Sequence, residues 1–139
     1  MEDFVNFEVA KKLKEKGFSC KYPFAMYDED GVFYPLFTSC DEDEDSKCIF
    51  GNRMYYDYDD FIKDEDTRIA PTISQVLKWL REEKNIILTP NPSYFEEDCC
   101  LGWDCDVWAS GNYDHCCVDY KTYEEAAIAG IEYVLDNII

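Results

Sequence analysis

Apolar residues recur along this chain with two different periods, and the change of period marks its elements. Val9, Ala10 and Leu13 fall on one side of a 3.6-residue helix spanning Asn6 to Lys16. Asn6 stands at the N-cap, Gly17 supplies the stop, and Lys11, Lys12, Lys14 and Lys16 make up the opposite, solvated face. Tyr22–Tyr27 and Val32–Phe37 then read as two strands of a hairpin. The turn between them is Asp28-Glu29-Asp30-Gly31, where glycine tolerates positive φ. The pattern then breaks down. Asp41 to Ser46 is an acidic loop, and Met54 to Phe61 alternates too poorly for more than one short strand, so it reads as irregular and exposed.

Regular spacing returns at residue 72. Thr72 and Gln75 form a capping box, and Ile73, Val76, Leu77 and Leu80 share one face of a helix from Ile73 to Glu83. Ile86–Thr89 is a short strand that Pro90 should end. Two further strands lie around Cys100–Ala109 and His115–Tyr120, joined by a turn at Ser110-Gly111-Asn112. Thr122 and Glu125 make a second capping box, and Ala127, Ile131, Val134, Leu135 and Ile138 line the buried face of the last helix. The expected order is α-β-β-α-β-β-β-α: an α+β fold in which an antiparallel meander packs against three helices. No Gly/Ser/Pro linker divides the chain, so residues 1–139 read as a single domain.

Composition narrows the function classes. The 31 acids against 13 bases give a formal net charge of −18. Direct nucleic-acid binding needs clustered Lys and Arg on phosphates, and docking to anionic lipid needs the same, so both are disfavoured. A protein partner with a basic surface suits this charge. With 47% hydrophobic and 17% aromatic residues, the chain has enough apolar surface to fold. No run approaches the length of a membrane span, and the start Met1-Glu2-Asp3-Phe4 lacks the basic and apolar blocks of a signal peptide. A cytoplasmic location with reduced thiols is therefore expected.

Ala70-Pro71-Thr72 through Val76-Leu77-Lys78-Trp79-Leu80-Arg81-Glu82-Glu83, with Lys121-Thr122-Tyr123-Glu124-Glu125-Ala126-Ala127 through Ile131-Glu132-Tyr133, resembles small proteins encoded by phages and prophages of gut Bacteroides and relatives. The layout is similar to the phage ABA-sandwich domain: a capped helix, a strand meander and an Ala-rich capped helix. The resemblance implies a small phage or prophage accessory protein. It rests on caps and helix faces, so it transfers no catalytic residue.

Four constellations could carry chemistry. Cys99, Cys105, His115 and Cys117 flank the Gly111 turn and could converge as tetrahedral zinc ligands, although no Cys-x-x-Cys occurs and adjacent cysteines on a strand point to opposite faces. The competing reading is that they are small, buried, reduced thiols. A Cys–His nucleophile would have to use His115, the sole histidine, and nothing selects its thiol. Asp41, Asp43 and Asp45 have the spacing that opens an EF-hand loop, but Ser46 and Asn52 replace its glycine and its final glutamate. Residues 28–66 hold 14 acids and 3 bases together with Tyr55, Tyr56, Tyr58 and Phe61. An acidic–aromatic face of Asp41, Asp43, Asp45, Tyr55, Tyr56, Tyr58, Asp59 and Asp60 could meet a basic protein groove, or stand in for DNA phosphates and block a nucleic-acid-binding protein. The plainer reading of the same acids is solubility. No phosphate loop or nucleophile elbow is present, so an enzyme is the least favoured class.

Overall fold

The computed structural model describes residues 3–20, 24–38, 48–50, 53–55, 61, 63–95 and 100–139. These form an α+β fold with two antiparallel sheets, one of five strands and one of three, and three helices of nine residues or more among the described residues. The chain divides into two compact units, one Phe4–Thr72 and the other Asp3 with Ile73–Ile139.

In the first unit, α1 (Phe7–Glu15) starts as its sequence predicts. The Asn6 carboxamide accepts the Val9 N–H at 2.9 Å, and Val9, Ala10 and Leu13 are buried. Lys14 departs from the solvated face. Its amine donates to the main-chain carbonyls of Asp64 and Thr67, which ties the helix to the segment before β5 (Arg68–Ile69). Burial, and then the charge of Arg68, push its pKa below the ordinary lysine value, while Asp64, Glu65 and Asp66 pull the other way.

The hairpin is formed by β1 (Ala25–Tyr27) and β2 (Phe33–Thr38), with Tyr27 opposite Phe33. Asp28 holds the turn: its carboxylate accepts the N–H groups of Asp30 and Val32, both at 2.9 Å, and its residue is only 7% exposed. Gly31 has φ +84°, and a Cβ there would lie 3.1 Å from the Phe7 ring, so glycine is required twice over. Strands β3 (Cys48–Phe50) and β4 (Arg53–Tyr55) extend the sheet to the order β4-β3-β2-β1-β5. The one short strand allowed for the middle segment is β4, but the exposed reading needs correcting at its end: Phe61 is 1% exposed, and its ring lies 5.2 Å from that of Tyr55, tilted at 60°.

The second unit contains α2 (Ile73–Glu83), β6 (Ile86–Phe95), β7 (Cys100–Ala109), β8 (Asn112–Tyr120) and α3 (Tyr123–Asn137). Helix α2 has the expected limits, and Asn85, at φ 56°, breaks it in the left-handed region. Ile73, Val76 and Leu80 are buried as expected. Trp79 joins them, and Leu77 is only half-buried. Strand β6 does not stop at Pro90. It is an edge strand, and its register places Pro90 opposite Cys105 and Pro92 opposite Trp103. Prolines two apart occupy the positions whose missing N–H would point away from the sheet, so no ladder bond is lost. Ser110 and Gly111, both with positive φ, make a two-residue turn that pairs Ala109 with Asn112. No helix among the described residues is long and apolar enough to cross a membrane.

Candidate functional site

Alternation along the three-stranded sheet sorts its side chains onto two faces. Ile86 and Leu88 of β6, Cys105 and Val107 of β7 and Asp114 of β8 turn toward the helices. The first four are buried, and Asp114 accepts the Tyr133 hydroxyl of α3 at 3.0 Å. Helix α3 approaches this face closely because residue 130 is glycine. A Cβ there would lie 2.4 Å from the Cys105 Sγ and 3.0 Å from the Leu88 Cδ1. Ala126, Ala127, Gly130, Ile131, Val134 and Leu135 complete its buried side, whereas Ile138, assigned to that side by its spacing, is 37% exposed in the last turn.

The opposite face is open, and its residues lie in rows across the strands. One row is Ile87, Trp108 and Tyr113, with Ile87 opposite Trp108 and Trp108 opposite Tyr113. Their exposures are 51%, 41% and 53%, and the two rings lie 5.1 Å apart at 47°. The next row is Thr89, Asp106 and His115. Asn91 and Asp104 follow.

In these polar rows His115 is clamped between two carboxylates. Its Nδ1 lies 2.6 Å from the Asp106 Oδ1 and its Nε2 lies 3.3 Å from the Asp104 Oδ2. Tyr113 donates its hydroxyl to Asp106 at 2.9 Å, and the Asn91 amide donates to the other Asp106 oxygen at 2.6 Å. Asp104 accepts the Asp119 N–H at 3.1 Å. The hydrogen bond to Asp106 raises the His115 pKa above its ordinary value. Partial desolvation opposes that rise, and the charges of Asp106 and Asp104 add to it. Burial would raise the Asp106 carboxyl, but hydrogen bonds from His115, Tyr113 and Asn91, with the His115 charge, bring it below the usual carboxylate range. With a carboxylate at each ring nitrogen, the imidazolium, which donates from both, is the form that suits this geometry. It leaves no ring nitrogen free to act as a base.

The expected zinc set does not assemble as a group. Cys105 faces α3 and His115 faces outward, on opposite sides of one sheet, so these two cannot share a metal or a proton. Cys117 lies opposite Cys105 in β8, and Cys99 falls outside the described residues. Asp104 and Asp106 approach opposite edges of the imidazole, and among the described residues no group of three or more His, Cys, Asp or Glu is placed to hold a metal ion.

Of the expected acidic–aromatic face, Asp41, Asp43, Asp45, Tyr56, Tyr58, Asp59 and Asp60 lie outside the described residues. Tyr55 is described, and it is committed to structure: its hydroxyl donates to Asp64 at 2.8 Å. A concavity of about 330 Å³ in the first unit is lined by Ala10, Phe18, Phe61 and Ile69, but its one amine, Lys14, is engaged by the two carbonyls named above.

Sequence reading missed Asp104, Asp106, Trp108, Tyr113 and Asn91 as a cluster. A signal for most of it was present. A two-residue turn at Ser110-Gly111 pairs 109 with 112, and counting back pairs 108 with 113 and 106 with 115. The alternation Asp104, Asp106, Trp108 then lies on one face. Comparison with family models, with curated proteins and with solved structures returns no match.

Proposed function

We propose that this chain acts by binding a protein that presents a basic surface, and that it docks through the open face of the sheet β6-β7-β8. The observation that supports this reading most is the row Ile87, Trp108, Tyr113: three large apolar side chains left in water side by side, next to carboxylates. Scattered exposed hydrophobics are ordinary, but a contiguous row rich in Trp and Tyr has the composition of an interface centre. The net charge of −18 supplies the complement to a basic partner and steers its approach. It also argues against direct contact with nucleic acid.

An accessory role in a phage or prophage, which the resemblance of the capped helices implies, fits a small binding protein. The genes that neighbour this one test that part. Binding is tested by immobilising the chain and capturing proteins from a bacterial lysate at 50 and 500 mM NaCl, values chosen on either side of the roughly 8 Å screening length at physiological salt. The expected result is a set of basic proteins that high salt releases. A captured set with no bias toward basic proteins, or one indifferent to salt, would refute the reading.

A further inference from the structure

We infer that the open face of β6-β7-β8 takes an arginine side chain of its partner, laid flat across the Ile87–Trp108–Tyr113 row. This rests on the reading of that face as a docking surface for a basic protein, and names the chemistry it selects. Charge complementarity and shape both favour this occupant. The row offers two aromatic rings, 41% and 53% exposed and 5.1 Å apart, with the aliphatic Ile87 beside them, 51% exposed. Such a strip is broad and apolar, which suits a planar cation with a weak hydration shell. A guanidinium stacks on an aromatic face and keeps its edge N–H groups in plane, whereas an ammonium is compact and strongly hydrated.

The polar row beside it sets the sign. Asp106 and Asp104 have their oxygens occupied by His115, Tyr113, Asn91 and the Asp119 N–H, so they are not free to make a new bidentate pair. With the His115 imidazolium between them the group keeps one net negative charge, and it acts through that field in a chain whose overall charge is −18. The aromatic row therefore supplies the contact, and the carboxylates supply the attraction. A second copy of this chain is a poor occupant, since it brings the same large negative charge to the interface.

The test uses the full chain and two fluorescein-labelled peptides, nona-arginine and nona-lysine, followed by fluorescence anisotropy at 50 mM NaCl. The arginine peptide should bind more tightly. Trp108→Ala should weaken it about three- to tenfold, the size of one or two lost cation–π stacks, and change the lysine peptide less than twofold. Ile87→Ser should weaken the arginine peptide in the same direction. Both side chains are exposed, and far-UV circular dichroism verifies that each variant folds. If both peptides bind the parent chain but neither variant alters the preference, the arginine site is wrong while the basic-partner reading stands. Equal losses for the two peptides also overturn arginine selection. If neither peptide binds, the basic-partner reading itself fails.

Discussion

Gly130 is where α3 meets the sheet, and replacing it separates two opposing effects. Alanine in place of glycine inside a helix ordinarily gains about 1 kcal/mol from helix propensity. Here the added Cβ would sit 2.4 Å from the Cys105 Sγ, more than about 1 Å inside the roughly 3.5–4.0 Å spacing of touching heavy atoms. Leu88, at 3.0 Å, can rotate aside. Cys105 cannot, because its side chain is short, fully buried and fixed to a central strand. The helix must therefore lift, loosening Ile131 and Val134. Overpacking of this kind costs about 1–3 kcal/mol, and the severity of the contact places it at the upper end. After the propensity gain, Gly130→Ala should lose about 2 kcal/mol, a fall in Tm on the order of 5–10 °C by circular dichroism at 222 nm. Cys105→Ala alone should cost about 1 kcal/mol for the small void. The double variant removes the clash and should recover to the level of Cys105→Ala or better, a coupling of about 2 kcal/mol or more. A Gly130→Ala protein as stable as the parent, or a double variant equal to the sum of its parts, would refute the close helix–sheet contact.

Other expectations follow from the remaining contacts. Lys14→Met should lose about 1–3 kcal/mol in urea denaturation, because the carbonyls of Asp64 and Thr67 lose a donor. A loss below about 0.3 kcal/mol would return Lys14 to the solvated face. Asp28→Ala should lose about 2 kcal/mol through two hydrogen bonds to its carboxylate, and Asp28→Asn, which keeps an acceptor oxygen, should lose less than half of that in the same urea denaturation. His115 should titrate above 6.5 by NMR, and Asp106→Asn should bring it down toward that value. A raised histidine pKa contributes stability that is complete below 6.5 and is lost as pH rises through the folded value. The lowered Asp106 pKa contributes above 3.8 and is lost as pH falls through its folded value, so the pair stabilises most between those two pH values. A His115 midpoint at or below 6.5 would break the clamp.

Helix positions were legible because their signals are local. Asn6 caps α1, Thr122 accepts the Glu125 N–H at 3.1 Å to cap α3, and α2 keeps its expected limits, since cap and apolar stripe lie within a few residues of one another. The second capping box departs in one detail: the Glu125 carboxylate reaches the Lys121 N–H instead of the cap residue's own. The β1–β2 hairpin was equally legible, because Asp28 and Gly31 carry its turn within four residues. Phe61 and Lys14 were misplaced for the opposite reason. Each sits in a polar neighbourhood of the sequence, and each is buried or half-buried by partners far along the chain.

The sequence alone determined the α+β class, the helices α1, α2 and α3, both hairpin turns and the strongly negative charge, because propensity, capping and composition act between near neighbours. Only the tertiary structure decided that β6 runs through Pro90 and Pro92, that Cys105 and His115 lie on opposite faces, and that His115 meets Asp104 and Asp106 beside an open aromatic row. Those outcomes depend on which strand lies at an edge and on which face a helix covers. Both are set by pairings between distant residues, whose entropy cost is recovered only when the whole sheet forms.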